Sequence, residues 1–425
     1  MSLTDQSRRK ILQQLMVASG VIAVGPALWG CSSNASPRSA LGATAPSRRS
    51  NIGNLAGTLR EVAVANDPQT RMLLPGGFSA RLVARSGEKA VSTAPYPWHN
   101  EPDGGATFAM ADGGWVYVSN AEINSQGQGG AGALRFNARG DVIDSYAICA
   151  GTTNNCAGGP TPWGTWLSCE EIDEGLVYEC DPGGRHAATA QPALGRFRHE
   201  AVAVDPVNGH LYLTEDVVDG NFYRFIPARY TRGQRADLRS GALQVAVVAG
   251  SNPDSRRQVS WKSLPDPVPA IAEGATPTRK QIPGAEQFNG GEGCWYHGGY
   301  VYFTTKGDNR VWALDTRSQT LDLVYDRVRD GGFAPAMADV DNLTVSAAGD
   351  IIVAEDGADM RLVVVGEGGK PFELVNVIGH EGSEVCGPAF SPDGSRLYFS
   401  SQNGITGLPD GGRTYEIKGP FFVDA

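Results

Sequence analysis

From Gly77 onward, short apolar runs alternate with turns rich in glycine, aspartate and asparagine, the pattern of strands joined by tight connections. The runs fall into units. The first holds 114–120 and 133–136, and the second 165–169 and 176–179. The third holds 201–205, 210–214 and 222–226, with the turn Pro206-Val207-Asn208-Gly209 inside it. Runs at 293–296, 300–304 and 310–315 make the fourth, and 343–345, 350–354 and 361–365 the fifth. The sixth is 389–391, 396–400 and 413–416, around Pro392-Asp393-Gly394. No stretch keeps a helical period for more than about three turns. Degenerate units of two to four strands, repeated six times, predict an all-β chain folded as a six-bladed β-propeller. A two-sheet sandwich is the competitor, but it rarely needs so many strands. A long insertion, roughly 229–287, separates the third and fourth units. It carries one candidate strand at 241–248 and the proline-rich run Leu264-Pro265-Asp266-Pro267-Val268-Pro269. Covering a mouth of the propeller and forming a surface excursion both stand open for it.

The high glycine content, 55 of 425 residues, agrees with many turns. A net charge of −10 argues against a nucleic-acid surface and leaves room for bound cations. The N-terminus reads as an export signal. Ser7-Arg8-Arg9-Lys10-Ile11-Leu12 resembles a twin-arginine signal, and the glycine-interrupted apolar segment 15–29 is too short for a convincing membrane span. Leu28-Trp29-Gly30-Cys31 resembles a lipoprotein cleavage box, making a lipid on Cys31 the one expected membrane attachment. The expected organisation is a signal peptide at 1–31, a tether at 32–50 and a catalytic propeller at 51–425, exported to the periplasm and monomeric. Six further cysteines, at 149, 156, 169, 180, 294 and 386, have no readable connectivity, although Cys149 with Cys156 would close a short loop.

The candidate chemistry centres on 156–171, Cys-Ala-Gly-Gly-Pro-Thr-Pro-Trp-Gly-Thr-Trp-Leu-Ser-Cys-Glu-Glu. Read as a strand, its second half puts Thr165, Leu167, Cys169 and Glu171 on one face and Trp166, Ser168 and Glu170 on the other. A thiol and a carboxylate leaving one face suit a transition metal. A buried inert cysteine before a solvated acidic turn is the bland alternative. Carboxylates recur at similar places in each unit: Glu122, Glu170 and Glu171, Glu200, Glu292, Asp341, Glu355 with Asp356, and Glu384. Converging on a propeller axis, they would repel one another unless cations or protons neutralised them. The opposing reading makes them solvated strand ends. Glu215-Asp216 falls later in its unit and is expected nearer the rim. Arg198 and Lys306 are candidates to grip an anionic substrate, and His199 either steadies Glu200 or fills the core. Cys294 and Cys386, each two residues after a candidate ligand, read as core fillers or extra ligands.

These residues resemble the PhoX family of alkaline phosphatases. The resemblance runs from about Pro97 to the C-terminus and rests on 155–171, on His199-Glu200 with Tyr212-Leu213-Thr214-Glu215-Asp216 and 223–227, and on Phe288-Asn289-Gly290-Gly291-Glu292-Gly293. Asp341-Asn342-Leu343 with Glu355-Asp356-Gly357, and 384–387 with 390–394, complete it. It implies a six-bladed propeller exported by the twin-arginine route, with Fe3+ and Ca2+ on its axis, that hydrolyses small phosphate monoesters. By position, Cys169 resembles the iron-bound thiolate, and Glu122, Glu170, Glu171, Glu200, Glu292, Asp341, Glu355 and Glu384 the remaining metal ligands. Two departures stand out: the chain is short for the larger family members, and Ser119-Asn120-Ala121-Glu122 replaces an Asn-His-Glu pattern. The competing functions are a calcium-dependent esterase or lactonase, which needs no thiolate, and a non-enzymatic binding propeller.

Overall fold

The computed structural model describes residues 48–332, 336–357 and 359–424. The export signal and the first part of the tether therefore lie outside the described residues. Six antiparallel meanders, each of four strands, can be traced among the described residues. The first blade is Pro102–Ala109, Trp115–Ala121, Gly129–Phe136 and Val142–Thr152. The second is Asn155–Pro160, Trp166–Glu170, Val177–Cys180 and Thr189–Ala190. The third is His199–Val204, Leu211–Glu215, Phe222–Pro227 and Gly241–Val248. The fourth is Gly291–His297, Tyr300–Thr305, Arg310–Asp315 and Thr320–Asp326, and the fifth Val340–Val345, Ile351–Glu355, Arg361–Val365 and Pro371–Ile378. The sixth takes Val385–Phe390, Arg396–Ser401 and Arg413–Lys418 from the C-terminal end and Ser79–Arg85 from the N-terminal end. The first strands contact one another in sequence order, and that of the sixth blade contacts that of the first. The sheets thus close into a ring, a β-propeller.

Stacking blade on blade explains why hydrophobic alternation is faint. A second strand such as Leu211–Glu215, Tyr300–Thr305 or Ile351–Glu355 is buried on both faces. It reads as a continuous run, because each face meets a neighbouring blade. Six apolar clusters fill the spaces between adjacent blades; one packs Tyr302 and Val311 of the fourth against Val353 and Val363 of the fifth. Near the axis the first strands approach so closely that only glycine fits. A Cβ on Gly159 would lie 1.7 Å from the Val202 carbonyl oxygen, and one on Gly293 2.5 Å from the Leu343 nitrogen.

Two features lay beyond the expected units. Leu59–Ala65 and Asp67–Pro75 form a hairpin bridging the outer edges of the fifth and sixth blades. The hairpin is fixed by buried Asp67, whose carboxylate accepts from Arg413 (2.8 Å), Tyr415 (2.9 Å) and Thr70 (2.7 Å). Arg48–Ser50, read as the end of the tether, instead pair with Phe422–Asp424. Within the insertion, Gly241–Val248 is the outer strand of the third blade, and Arg257–Ser263 continues its sheet to the edge of the fourth. Residues 229–240 pack beside the second and third blades, with Tyr230 bonded to the Pro206 carbonyl (2.7 Å), while the part after Ser263 lies against the loops at the acid end of the ring. There the Pro267 carbonyl accepts from the Arg196 amide (2.9 Å), and Arg279 reaches Asp219 (3.0 Å) and Glu215 (3.3 Å).

Candidate metal centre

Strand register gives the site a six-fold order. The last residue of each second strand pairs with a residue early in its first strand: Ala121 with Pro102, Glu170 with Asn155, Glu215 with His199, Thr305 with Gly291, Glu355 with Val340, and Ser401 with Val385. One residue further along the first strands come Asp103, Cys156, Glu200, Glu292, Asp341 and Cys386. One residue past the second strands come Glu122, Glu171, Asp216, Lys306, Asp356 and Gln402. Register slips at or just beyond these positions in all six blades. Such bulges re-aim side chains, here off the sheet and toward the axis.

Three overlapping groups result, each with ligand atoms mutually within 4.8 Å: Asp103, Glu122 and Cys156; Cys156, Glu171 and Glu200; Glu200, Glu292 and Asp341. Cys156 and Glu200 are shared, so the three groups form one continuous site. Its members are buried, apart from Glu122, which is partly exposed. Burial, followed by mutual repulsion, pushes the carboxyls of Asp103, Glu200 and Glu292 well above the usual carboxylate range. The same causes raise Glu171 to about 8, against the pull of Arg198. Burial raises Asp341 to about 7, against the pull of Lys306. The Cys156 thiol is raised by burial and then by Asp103, Glu122, Glu200 and Glu171, and it donates to Glu200 Oε1 at 3.4 Å. Glu200 Oε2 and Glu292 Oε1 are buried with no hydrogen-bond partner. A cluster of acids with orphaned oxygens and one thiol is what a group of cations would satisfy: hard ions by the carboxylates, a transition metal at the sulfur.

The surrounding side chains hold this site in place. Gln402 donates to both Asp103 (2.8 Å) and Glu122 (2.6 Å). Asn154 reaches Glu171 (3.2 Å) and Glu122 (3.4 Å). Arg198 donates to Glu171 and is partly exposed. Lys306 pairs with Asp356 and lies 3.9 Å from Glu292. Burial would lower its pKa, but Glu292, Asp341 and Asp356 together raise it, so it stays charged.

Several residues singled out from the sequence sit elsewhere. Cys169 is fully buried in the apolar cluster between the second and third blades, with Leu167, Val177, Val202 and Leu213, and joins none of the three groups. Cys156 occupies the axial position instead, because the first strand of each blade lines the axis and Cys169 belongs to a second strand. Glu170 turns away from the axis to accept the Thr153 (2.9 Å) and Leu176 (3.2 Å) amides. Glu355 likewise accepts from the Ala338 amide (2.8 Å) and pairs with Arg361. Glu215 holds the Asn221 amide (3.1 Å) and the Tyr223 hydroxyl (2.7 Å). These three are equivalent positions: their carboxylates pin neighbouring loops. The next residues, Glu171, Asp356 and Asp216, point to the centre; Asp216, expected nearer the rim, adds to the repulsion on Glu171, Glu200 and Glu292. Glu384 stands one residue before the Val385 pair, outside the three groups but close enough for Asp356, Asp103 and Asp341 to raise it further after burial. His199 is a core residue, its ring tilted against Phe197 and bonded to the Gly195 carbonyl at 3.1 Å. Cys294 fills the core between the third and fourth blades. Cys386 sits at an axial position, but its thiol donates to the Pro102 carbonyl at 2.9 Å. Asp103 was missed by the sequence reading, although Pro102-Asp103-Gly104 repeats the acid-then-glycine pattern of Glu292-Gly293.

Comparison with known proteins bears on the family and the fold. The family profile described as "Alkaline phosphatase PhoX" matches residues 100–330 and 334–404. No curated protein sequence matches. Among solved structures, PhoX from Pseudomonas fluorescens in complex with vanadate, a transition state analogue, is similar over 86% of this chain and 98% of that one, with TM-score 0.68 and 18% identity. A gluconolactonase from Xanthomonas campestris is similar over 88% and 94% (TM-score 0.46, 12% identity), and the calcium-binding protein regucalcin from Agrobacterium tumefaciens over 80% and 95% (TM-score 0.42, 14% identity). With the profile spanning most of its length and the acids and thiol gathered on the axis of a propeller, the chain belongs to the PhoX family of alkaline phosphatases.

Proposed function

We propose that this phosphoric monoester hydrolase acts on small phosphate monoesters at a cluster of cations held by Asp103, Glu122, Cys156, Glu171, Glu200, Glu292 and Asp341. Ferric iron is assigned to the thiolate side and calcium to the carboxylates. The observation that carries this reading is the sharing of Cys156 and Glu200 between three groups of ligand atoms. When bound, such ions neutralise phosphoryl oxygens and acidify a water molecule. A calcium-only lactonase site would leave Cys156 without a role.

The chain's own residues supply positioning and close one side to substrate. Below the acids, Gly104, Gly105, Gly158 and Gly293 line a cavity of about 20 Å³, too small for a phosphate ester, so substrate enters from the mouth. There Arg198 and Lys306 provide the cationic groups for an incoming phosphate dianion, each prepositioned by a carboxylate, Glu171 and Asp356. Asn154 and Gln402 fix the acids against one another as charge accumulates. The N-terminal signal fits export to the periplasm by the twin-arginine route and attachment through a lipid on Cys31. The test is hydrolysis of p-nitrophenyl phosphate by the purified protein before and after chelation: activity present, then lost, supports the reading, and activity that survives complete chelation overturns it.

A further inference from the structure

Away from the axis, the fold brings together two thiols that the phosphatase site does not use. Cys149 lies in Val142–Thr152, the outer strand of the first blade, and Cys180 ends Val177–Cys180 in the second. Both belong to the apolar cluster between those blades, beside Ile148, Ala131 and Trp166, where the two strands run in contact. The same strand edges are clasped nearby, where the Tyr146 hydroxyl donates to the Pro182 carbonyl at 2.9 Å. All six described cysteines are free, and this is the pair among them that shares a cluster. The short loop between Cys149 and Cys156 is not the one positioned to close, because Cys156 faces the axis. The neighbouring Cys180 thiol lowers the pKa of Cys149, which favours Cys149 as the attacking sulfur.

We propose that Cys149 and Cys180 close into a disulfide under oxidising conditions, a clasp between the first two blades that steadies the segment delivering Cys156 to the axis. Two S–H bonds break and one S–S bond forms. The two electrons and two protons pass to a disulfide oxidant, either oxidised glutathione or an oxidoreductase disulfide, which leaves as two thiols. The connection to the axis is a chain of buried polar contacts. Cys149 Sγ lies 3.9 Å from Thr152 Oγ1, which donates to Asn155 (2.6 Å); Asn155 donates to Ser168 (2.9 Å), and Ser168 to Asn120 (2.8 Å). Asn120 in turn holds the backbone carbonyls of Cys156 (3.1 Å) and Ala157 (2.6 Å).

The test uses the purified chain, incubated in glutathione buffers of graded ratio with enough urea to loosen strand edges below the unfolding midpoint. Free thiols are then blocked without reductant, and the protein is digested for mass spectrometry. The expected result is a Cys149–Cys180 linked peptide that rises with oxidised glutathione, and a melting temperature roughly 5 °C above that of the reduced protein. Reduction should also speed release of bound metal, and Cys149→Ser should abolish the linked peptide and the effect of reductant together. Both thiols remaining blockable in fully oxidised glutathione overturns the proposal. So does a linked peptide whose reduction leaves melting temperature and metal release unchanged.

Discussion

Glu200 and Glu355 have the same charge and are both completely buried, yet replacing each by glutamine has opposite consequences. Glu355 pairs with Arg361, whose side chain is 9% exposed, and accepts the Ala338 amide. Breaking a buried ion pair costs about 3–5 kcal/mol. Glu373 and Asp359 also bond Arg361, so the loss should fall at or somewhat below the lower end. Glu200 has no cationic partner: Oε2 is orphaned, and Glu171, Asp341, Asp103 and Asp216 all oppose its charge. In chelated protein, Glu200→Gln removes a group that the fold must otherwise protonate, so stability should stay within about 1 kcal/mol of wild type or rise. Thermal unfolding at pH 8, with and without chelator, separates the two. Glu355→Gln should melt several degrees lower in both conditions and keep its metal. Glu200→Gln should match wild type when chelated, but lose metal content and most of the stabilisation that metal confers. If chelated Glu200→Gln falls as far as Glu355→Gln, or keeps its full metal complement, the axial assignment is wrong.

The two cysteines offer a similar contrast. Cys156→Ser should lose any visible thiolate-to-iron charge-transfer band along with phosphatase activity, whereas Cys169→Ser should keep both and lose about 1–3 kcal/mol in a denaturant melt. The raised carboxyls make the metal-free fold bind protons that the unfolded chain releases. Its stability should therefore fall as pH rises from about 4, the ordinary carboxylate value, to about 8, the window set by Asp341 at about 7 and Glu171 at about 8. Metal-loaded protein should show a much flatter profile in the same calorimetric series, and parallel curves would contradict this. If Lys306 and Arg198 grip phosphate as proposed, Lys306→Met and Arg198→Met each forfeit a charged contact worth about 1.5–3 kcal/mol, and should lower kcat/KM roughly 10- to 100-fold for p-nitrophenyl phosphate. Unchanged kinetics would remove either residue from the substrate site.

Strand units, turns and the carboxylates at the ends of second strands were legible because tight turns and apolar runs leave local signals. The innermost strands were harder to read. Asn155–Pro160 is Asn-Cys-Ala-Gly-Gly-Pro, small residues selected by crowding at the axis rather than by strand propensity. That crowding hides the strand, so alternation along the sequence favours Cys169 over Cys156. Counting alternate residues along Trp166–Glu170 could not show that its faces meet other blades while the axis belongs to the preceding strand. In Glu170-Glu171 and Glu355-Asp356, composition cannot say which acid turns outward; the loop amides at Thr153, Leu176 and Ala338 decide it. Cys149 and Cys180 are 31 positions apart in sequence and become neighbours only when the first two blades pack.

The central claim is that a thiol and a ring of acids on the propeller axis hold the metals that make this chain a phosphatase. Metal analysis of wild type and Cys156→Ser, with p-nitrophenyl phosphate turnover measured on the same samples, tests it most directly. The account predicts iron and calcium together in active wild type, and loss of iron and turnover together in the variant. Wild type that is fully active without bound metal, or a Cys156→Ser variant that keeps both iron and turnover, would contradict it.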